Sequence, residues 1–202
     1  MRAMPIMRRE KAPIVSVSEA LEIARDLGEN VRVVGFSLGG LLAAWVAQRH
    51  AVEQVLAISP FLGIMGLSRI VTPAFSKVLG RMPNFFVWWD PIKRENLMPA
   101  HGYPRFATHA VAETLALAGD LLTVARTQAP RSPIILASNQ GECCVNNRAI
   151  RCLTSVWRHH EGALVEHRSL RGLGFSHDII EPLRIGSNTN RSYPFLRELL
   201  QA

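Results

Sequence analysis

The residues Gly35-Phe36-Ser37-Leu38-Gly39, followed by a further Gly40, set a serine between glycines in the pattern G-x-S-x-G. These residue types suit nucleophilic chemistry. A serine hydroxyl is presented to a carbonyl when a sharp, strained strand-to-helix turn lifts its Oγ clear of a sheet. Glycines on either side leave room for the neighbouring strand and helix. The backbone N–H of Leu38, at the start of the helix that follows, then points where an oxyanion would form. The pattern alone is short, and the plain alternative is a serine in an ordinary glycine-rich turn. The flanking sequence supplies the context the motif requires: Val31–Phe36 is a β-rich run, and Leu41–His50 carries the apolar positions of a helix.

Little else in the chain has the spacing of a reactive centre. The three cysteines, Cys143, Cys144 and Cys152, form no CxxC and no Cys/His pattern suited to zinc. They read as reduced thiols of a cytoplasmic protein. Neither a metal nor a cofactor is implied.

The elements that must position Ser37 follow from periodicity. Ser16 and Glu19 form a capping box ahead of the apolar face Ala20, Leu21, Ile23, Ala24 and Leu27, and Gly28 is placed to end that helix. Residues 1–15 show no periodicity and read as a leader. A buried strand at 31–36, the helix at 41–50 and another buried strand at 54–58 then alternate, which implies a parallel α/β sheet. From Pro60 to Leu115 the rhythm breaks. This stretch holds eight of the fourteen aromatic residues and six prolines, so its helices must be short. It reads as an insertion over one end of the sheet, at 61–115. The alternation resumes with a helix at 111–126, a strand at 134–137, a helix at 147–160, a strand at 163–167 and a closing helix around Leu196–Leu200, with Pro194 near its first turn.

Composition agrees with one folded domain. The chain has 202 residues, 48% apolar and 19% charged, enough for a sizeable core. Its formal charge of +7 is spread among single arginines, with one adjacent pair, Arg8-Arg9, so no nucleic-acid-binding stripe is expected. The first ten residues have no apolar signal core, and the longest apolar run, Val55–Leu67, is interrupted by Ser59, Pro60, Gly63 and Gly66. Neither a secretory signal nor a membrane span is expected.

With VRVVGFSLGG at 31–40, PIILASNQGECCV at 133–145 and GFSHDIIEP at 174–182, the sequence resembles the α/β-hydrolase superfamily, in its esterase, lipase and serine-aminopeptidase-like branch. The resemblance covers about residues 16–202 and puts the insertion where such proteins carry a cap. It implies a mostly parallel sheet with flanking helices and a triad in the chain order Ser, acid, His. The acid falls at Glu142, three positions before Val145, where the family more often has Asp. The histidine falls at His177, in the loop after the last strand. His167 is its rival but lies at a strand end, and His159 and His160 lie at a helix end. Asp178 and Glu181 follow the histidine too closely to be the acid. The implied chemistry is acyl transfer on a carboxylic ester, with Ser37 as nucleophile, His177 as base and Glu142 as its partner. Phe36, Phe61, Trp88 and Trp89 are candidates for an apolar substrate pocket, or else for the core of the cap.

The resemblance departs at the front. Such proteins have strands before the nucleophile strand, and one of them leads to a loop that supplies the second oxyanion donor. Here no strand fits before Val31, so that donor has no assigned residue. Losing one donor costs about 100- to 1000-fold in turnover. The strand at 31–36 is then expected at an open edge, where self-association could occur. Three accounts stand side by side: an N-terminally truncated α/β-hydrolase, a degenerate one, or a sheet completed by another chain. The expected activity is ester hydrolysis. The alternative is a truncated, inactive remnant that binds an apolar ligand or partner.

Overall fold

A computed structural model describes residues 12–68, 70–92, 94, 102–183 and 187–201. Its elements are α1 (Ala12–Leu27), β1 (Arg32–Phe36), α2 (Leu38–Arg49), β2 (Gln54–Ile58), α3 (Thr72–Arg81), β3 (Phe86–Trp88), β4 (Arg105–Ala107), α4 (Thr108–Val124), β5 (Ile134–Asn139), α5 (Asn147–Arg158), β6 (Val165–Leu170) and α6 (Thr189–Gln201). Strands β1, β2, β5 and β6 form one sheet in that order, every pair parallel. β3 and β4 pair antiparallel in the insertion.

The sheet is covered on both faces, and the strand alternation divides the core. Val55, Ala57, Ile134 and Leu136 point toward α2, α4 and α5, where they meet Leu41, Leu121, Ile150, Leu153 and Trp157. Leu56, Ile58, Ile135 and Ala137 point the other way, to Ile179 and to Leu196 and Leu199 of α6. The two inner strands are therefore apolar almost throughout, as a sheet buried on both faces requires. A polar contact ties the first of these layers together. The buried Trp157 indole donates to Gln48 Oε1 at 2.7 Å, while Gln48 Nε2 donates to the carbonyls of Gln128 and Ala129.

β1 is an edge among the described residues, with β2 as its one strand neighbour. Val33 packs inward, whereas Val34 is 50% exposed. α1 lies against α2, Leu21 meeting Trp45 and Val46.

Four details differ from the sequence expectation. α1 begins at Ala12. Ser16 and Glu19 therefore lie inside the helix, and residues 12–15 belong to it rather than to a leader; the rest of the expected leader, 1–11, lies outside the described residues. α4 starts at Thr108, three residues before the start of the helix expected at 111–126. β6 extends to Leu170, which places His167 within the strand and not at its end. Pro194 sits six residues into α6, beyond the first turn.

Candidate active site

The three candidate triad residues sit at the C-terminal ends of three parallel strands, the side of an open α/β sheet where ligands bind. Ser37 follows β1, Glu142 lies in the loop after β5, and His177 lies in the loop after β6.

Ser37 has φ 55° and ψ −113°, a left-handed conformation that L-residues rarely adopt and that costs about 1–3 kcal/mol. Its backbone is held on both sides. The N–H donates to Ile58 O at 2.9 Å, and the carbonyl accepts from Leu41 N and Phe61 N, each at 3.0 Å. The glycines explain how helix and strand come so close. A Cβ on Gly35 would stand 2.0 Å from Gly39 O, and one on Gly40 would stand 2.8 Å from Ile58 O. A Cβ on Gly39 would meet nothing within 4 Å. The close approach of the turn to its neighbours thus rests on Gly35 and Gly40, not on the second glycine of the motif. Leu38 opens α2, so its N–H has no acceptor within the helix.

His177 joins the serine to the acid. Ser37 Oγ stands 2.7 Å from His177 Nε2, and His177 Nδ1 stands 2.6 Å from Glu142 Oε1. A carboxylate can only accept, so Nδ1 carries the proton and Nε2 is left to accept from the serine. Phe36 packs against the imidazole with ring centroids 4.9 Å apart. The Glu142 side chain is buried, and Oε1 also accepts from Val145 N at 3.0 Å. Its Oε2 is buried with no hydrogen-bond partner among the described residues.

Asn139, the last residue of β5, joins the acid loop to the histidine loop. Its buried side chain donates through Nδ2 to Gly174 O at 3.0 Å and Ser176 O at 2.9 Å, while Oδ1 accepts from Gly141 N. Gly141 is pressed so close to the second loop that a Cβ would stand 2.7 Å from Gly174 O. The sequence did not mark Asn139 as a site residue. The signal that could have found it was an amide at the end of a strand whose other positions are all apolar or small.

An apolar cavity of about 180 Å³ opens beside Ser37, walled by Phe36, Phe61 and Trp89 together with Phe106, Val111 and Thr114. Phe106, Val111 and Thr114 come from β4 and the first turns of α4, which the sequence did not mark as pocket residues. Trp88 is not brought there. Its neighbour along the chain, Trp89, packs on Phe106 with centroids 4.4 Å apart, whereas Trp88 lies beside the Arg105 guanidinium, 5.0 Å from the ring centroid. Trp88 ends β3 and Trp89 is the first residue beyond it, and of the two only Trp89 lines the cavity. His167 bonds Ser138 Oγ at 2.8 Å, and His159 and His160 bond backbone carbonyls, so none of these three is directed at Ser37. Among the described residues no group of three or more His, Cys, Asp or Glu could hold a metal ion, and no helix is long and apolar enough to cross a membrane.

This architecture is the α/β-hydrolase fold. A monoacylglycerol lipase from Paleococcus ferrophilus superposes with a TM-score of 0.67 at 18% identity, covering 98% of this chain and 77% of the lipase. A soluble variant of the monoglyceride lipase of Saccharomyces cerevisiae gives 0.65 at 13% identity, over 93% of this chain and 66% of the other. An esterase from Pyrococcus furiosus gives 0.53 at 13% identity, over 96% and 62%. The chain thus spans less than two thirds of the latter two. The profile of an uncharacterised protein family, UPF0227, matches residues 4–67. No curated protein matches the sequence.

Proposed function

We propose that the protein is a serine hydrolase acting on carboxylic esters with an apolar acyl or alcohol part. The observation that carries this reading is the continuous hydrogen-bonded line from Glu142 through His177 to Ser37, with the serine raised on a strained turn beside an apolar cavity. The lipases and esterases that share the fold agree with it. His177 Nε2 takes the Ser37 proton as Oγ attacks the ester carbonyl carbon. The Leu38 N–H donates to the oxyanion. Collapse of the tetrahedral intermediate expels the alcohol, which takes its proton from His177. Water, activated by the same imidazole, then releases the acid and restores Ser37. Glu142 holds the ring and offsets the charge it gains.

The test is labelling of the purified chain with a fluorophosphonate probe beside a Ser37→Ala control. The wild type is expected to label on Ser37 and the variant not at all. A folded wild type that stays unlabelled would remove the proposal. The outer edge of β1, which pairs with no strand among the described residues, favours a second reading in that event, a non-catalytic protein that binds an apolar ligand or partner.

Glu142→Gln separates charge from geometry. The amide oxygen can still accept from Val145 N and His177 Nδ1, and the –NH₂ replaces the unpartnered Oε2. The orientation of the ring is kept and the charge is lost. Turnover of a p-nitrophenyl ester is expected to fall by up to about 10⁴-fold with KM little changed. A variant within threefold of wild type would show that Glu142 has no catalytic part.

A further inference from the structure

On the far side of the sheet from β1, α5 and the edge strand β6 enclose an open groove of about 430 Å³. Its walls are Arg151, Thr154, Ser155, Arg158, His159 and His167, with no carboxylate among them. The two guanidiniums stand on one side of α5, seven residues or about two turns apart. Arg158 is fixed over β6 because its Nε donates to Val165 O at 2.9 Å, and its terminal nitrogens have no acceptor among the described residues. The Arg151 guanidinium makes no hydrogen bond or ion pair with any described residue. His167 uses Nε2 toward Ser138 Oγ and leaves Nδ1 without a partner among the described residues. Burial, then the charges of Arg151 and Arg158, push the His167 pKa below its ordinary value, so both guanidiniums act on this imidazole. The nearest acid along β6, Glu166, points to the opposite side of the strand and is paired with Arg168 at 2.6 Å.

Two guanidiniums and no carboxylate in its walls give the groove a positive potential, which favours entry of an anion. A carboxylate brings two oxygens and one charge. A phosphoryl group has three oxygens and up to two charges, which matches two guanidiniums with a hydroxyl or imidazole between them. We propose that the groove between α5 and β6 is a binding site for a phosphoryl group, either free phosphate or a phosphate monoester, held by Arg151 and Arg158 with Ser155 and His167 between them. The site is separate from Ser37, and its test does not depend on hydrolytic activity.

Calorimetric titration of the whole chain at fixed ionic strength, with inorganic phosphate and with phenyl phosphate in parallel, tests this. Binding with one-to-one stoichiometry is expected. Arg151→Ala and Arg158→Ala are each expected to weaken it about 10- to 100-fold, the range for a hydrogen bond to a charged group. Arg168→Ala removes the same charge from outside the groove and is expected to leave binding within twofold. Tighter binding of phenyl phosphate than of phosphate would assign the site to a phosphoryl group carried on a larger molecule, and equal binding to the free anion. No heat from either ligand would overturn the proposal. So would equal loss in Arg168→Ala, or displacement of phosphate by an equal concentration of chloride, since each marks general charge attraction.

Discussion

Ester turnover by a His177→Ala protein is expected to fall about a millionfold, to the level of Ser37→Ala, and the double variant to lose no more. The reason lies in how Ser37 is bonded. The one side-chain group within hydrogen-bond reach of its Oγ among the described residues is His177 Nε2, at 2.7 Å. A serine hydroxyl is a poor nucleophile while it keeps its proton, so without the imidazole the attack has no base and the leaving alcohol no acid. Residues that act as one unit do not lose activity additively, because once one is gone the others have nothing to act on. The measurement is kcat/KM for a p-nitrophenyl ester across the two single variants and the double variant, with circular dichroism to check that each is folded. Ten per cent residual activity in His177→Ala, or losses that multiply in the double variant, would show that serine and histidine work separately or not at all.

The sequence made the inner part of this molecule legible and its periphery much less so. β2 and β5 are short apolar runs between turn residues, and a parallel sheet buried on both faces needs that pattern; β1, also a short β-rich run, is half exposed at the edge. Ser37 could be read because its turn imposes steric demands that surface as glycines. Glu142 and His177 became candidates by family resemblance alone, since nothing local to 142 or 177 requires an acid or a base; what brings them together is a meeting of two loops 35 residues apart in sequence. The pocket was half legible for a related reason. Aromatic residues signal burial but not the side on which they are buried, so Trp88, which ends β3 beside Arg105, and Trp89, which follows it against Phe106, could not be told apart in the sequence. Val111 and Thr114 carried no signal, being ordinary helix residues that face a cavity because of where α4 starts. The start of α1 was missed because Ser16 and Glu19 satisfy a capping pattern that the helix does not use there.

Gly35→Ala is expected to destabilise the protein strongly and to abolish probe labelling, while Gly39→Ala, four residues away in the same motif, leaves both intact. In the first case the new Cβ would lie 2.0 Å from Gly39 O, 2.4 Å from Gly39 C and 2.9 Å from Gly40 N. All three are backbone atoms of the first turn of α2, so no rotamer can move aside. The turn itself must retreat, and it can do so only against the close contact of Gly40 with Ile58 O and Pro60 Cα. Overpacking of this kind costs at least the upper part of about 1–3 kcal/mol. In a domain of this size that lowers the Tm by about 6–12 °C. The same retreat carries the Leu38 N–H and the strained Ser37 backbone away from His177, which is why labelling should go with it. Gly39 has no such neighbour, and as a glycine within α2 it carries a conformational entropy cost that alanine would remove, up to about 1 kcal/mol in favour of the variant. Thermal unfolding and fluorophosphonate labelling of the two variants side by side decide the matter. A Gly35→Ala protein that melts within 2 °C of wild type and labels at the same rate would mean that the elbow is not held by the contact between β1 and α2. A Gly39→Ala protein as damaged as Gly35→Ala would mean that the motif's second glycine serves something other than space.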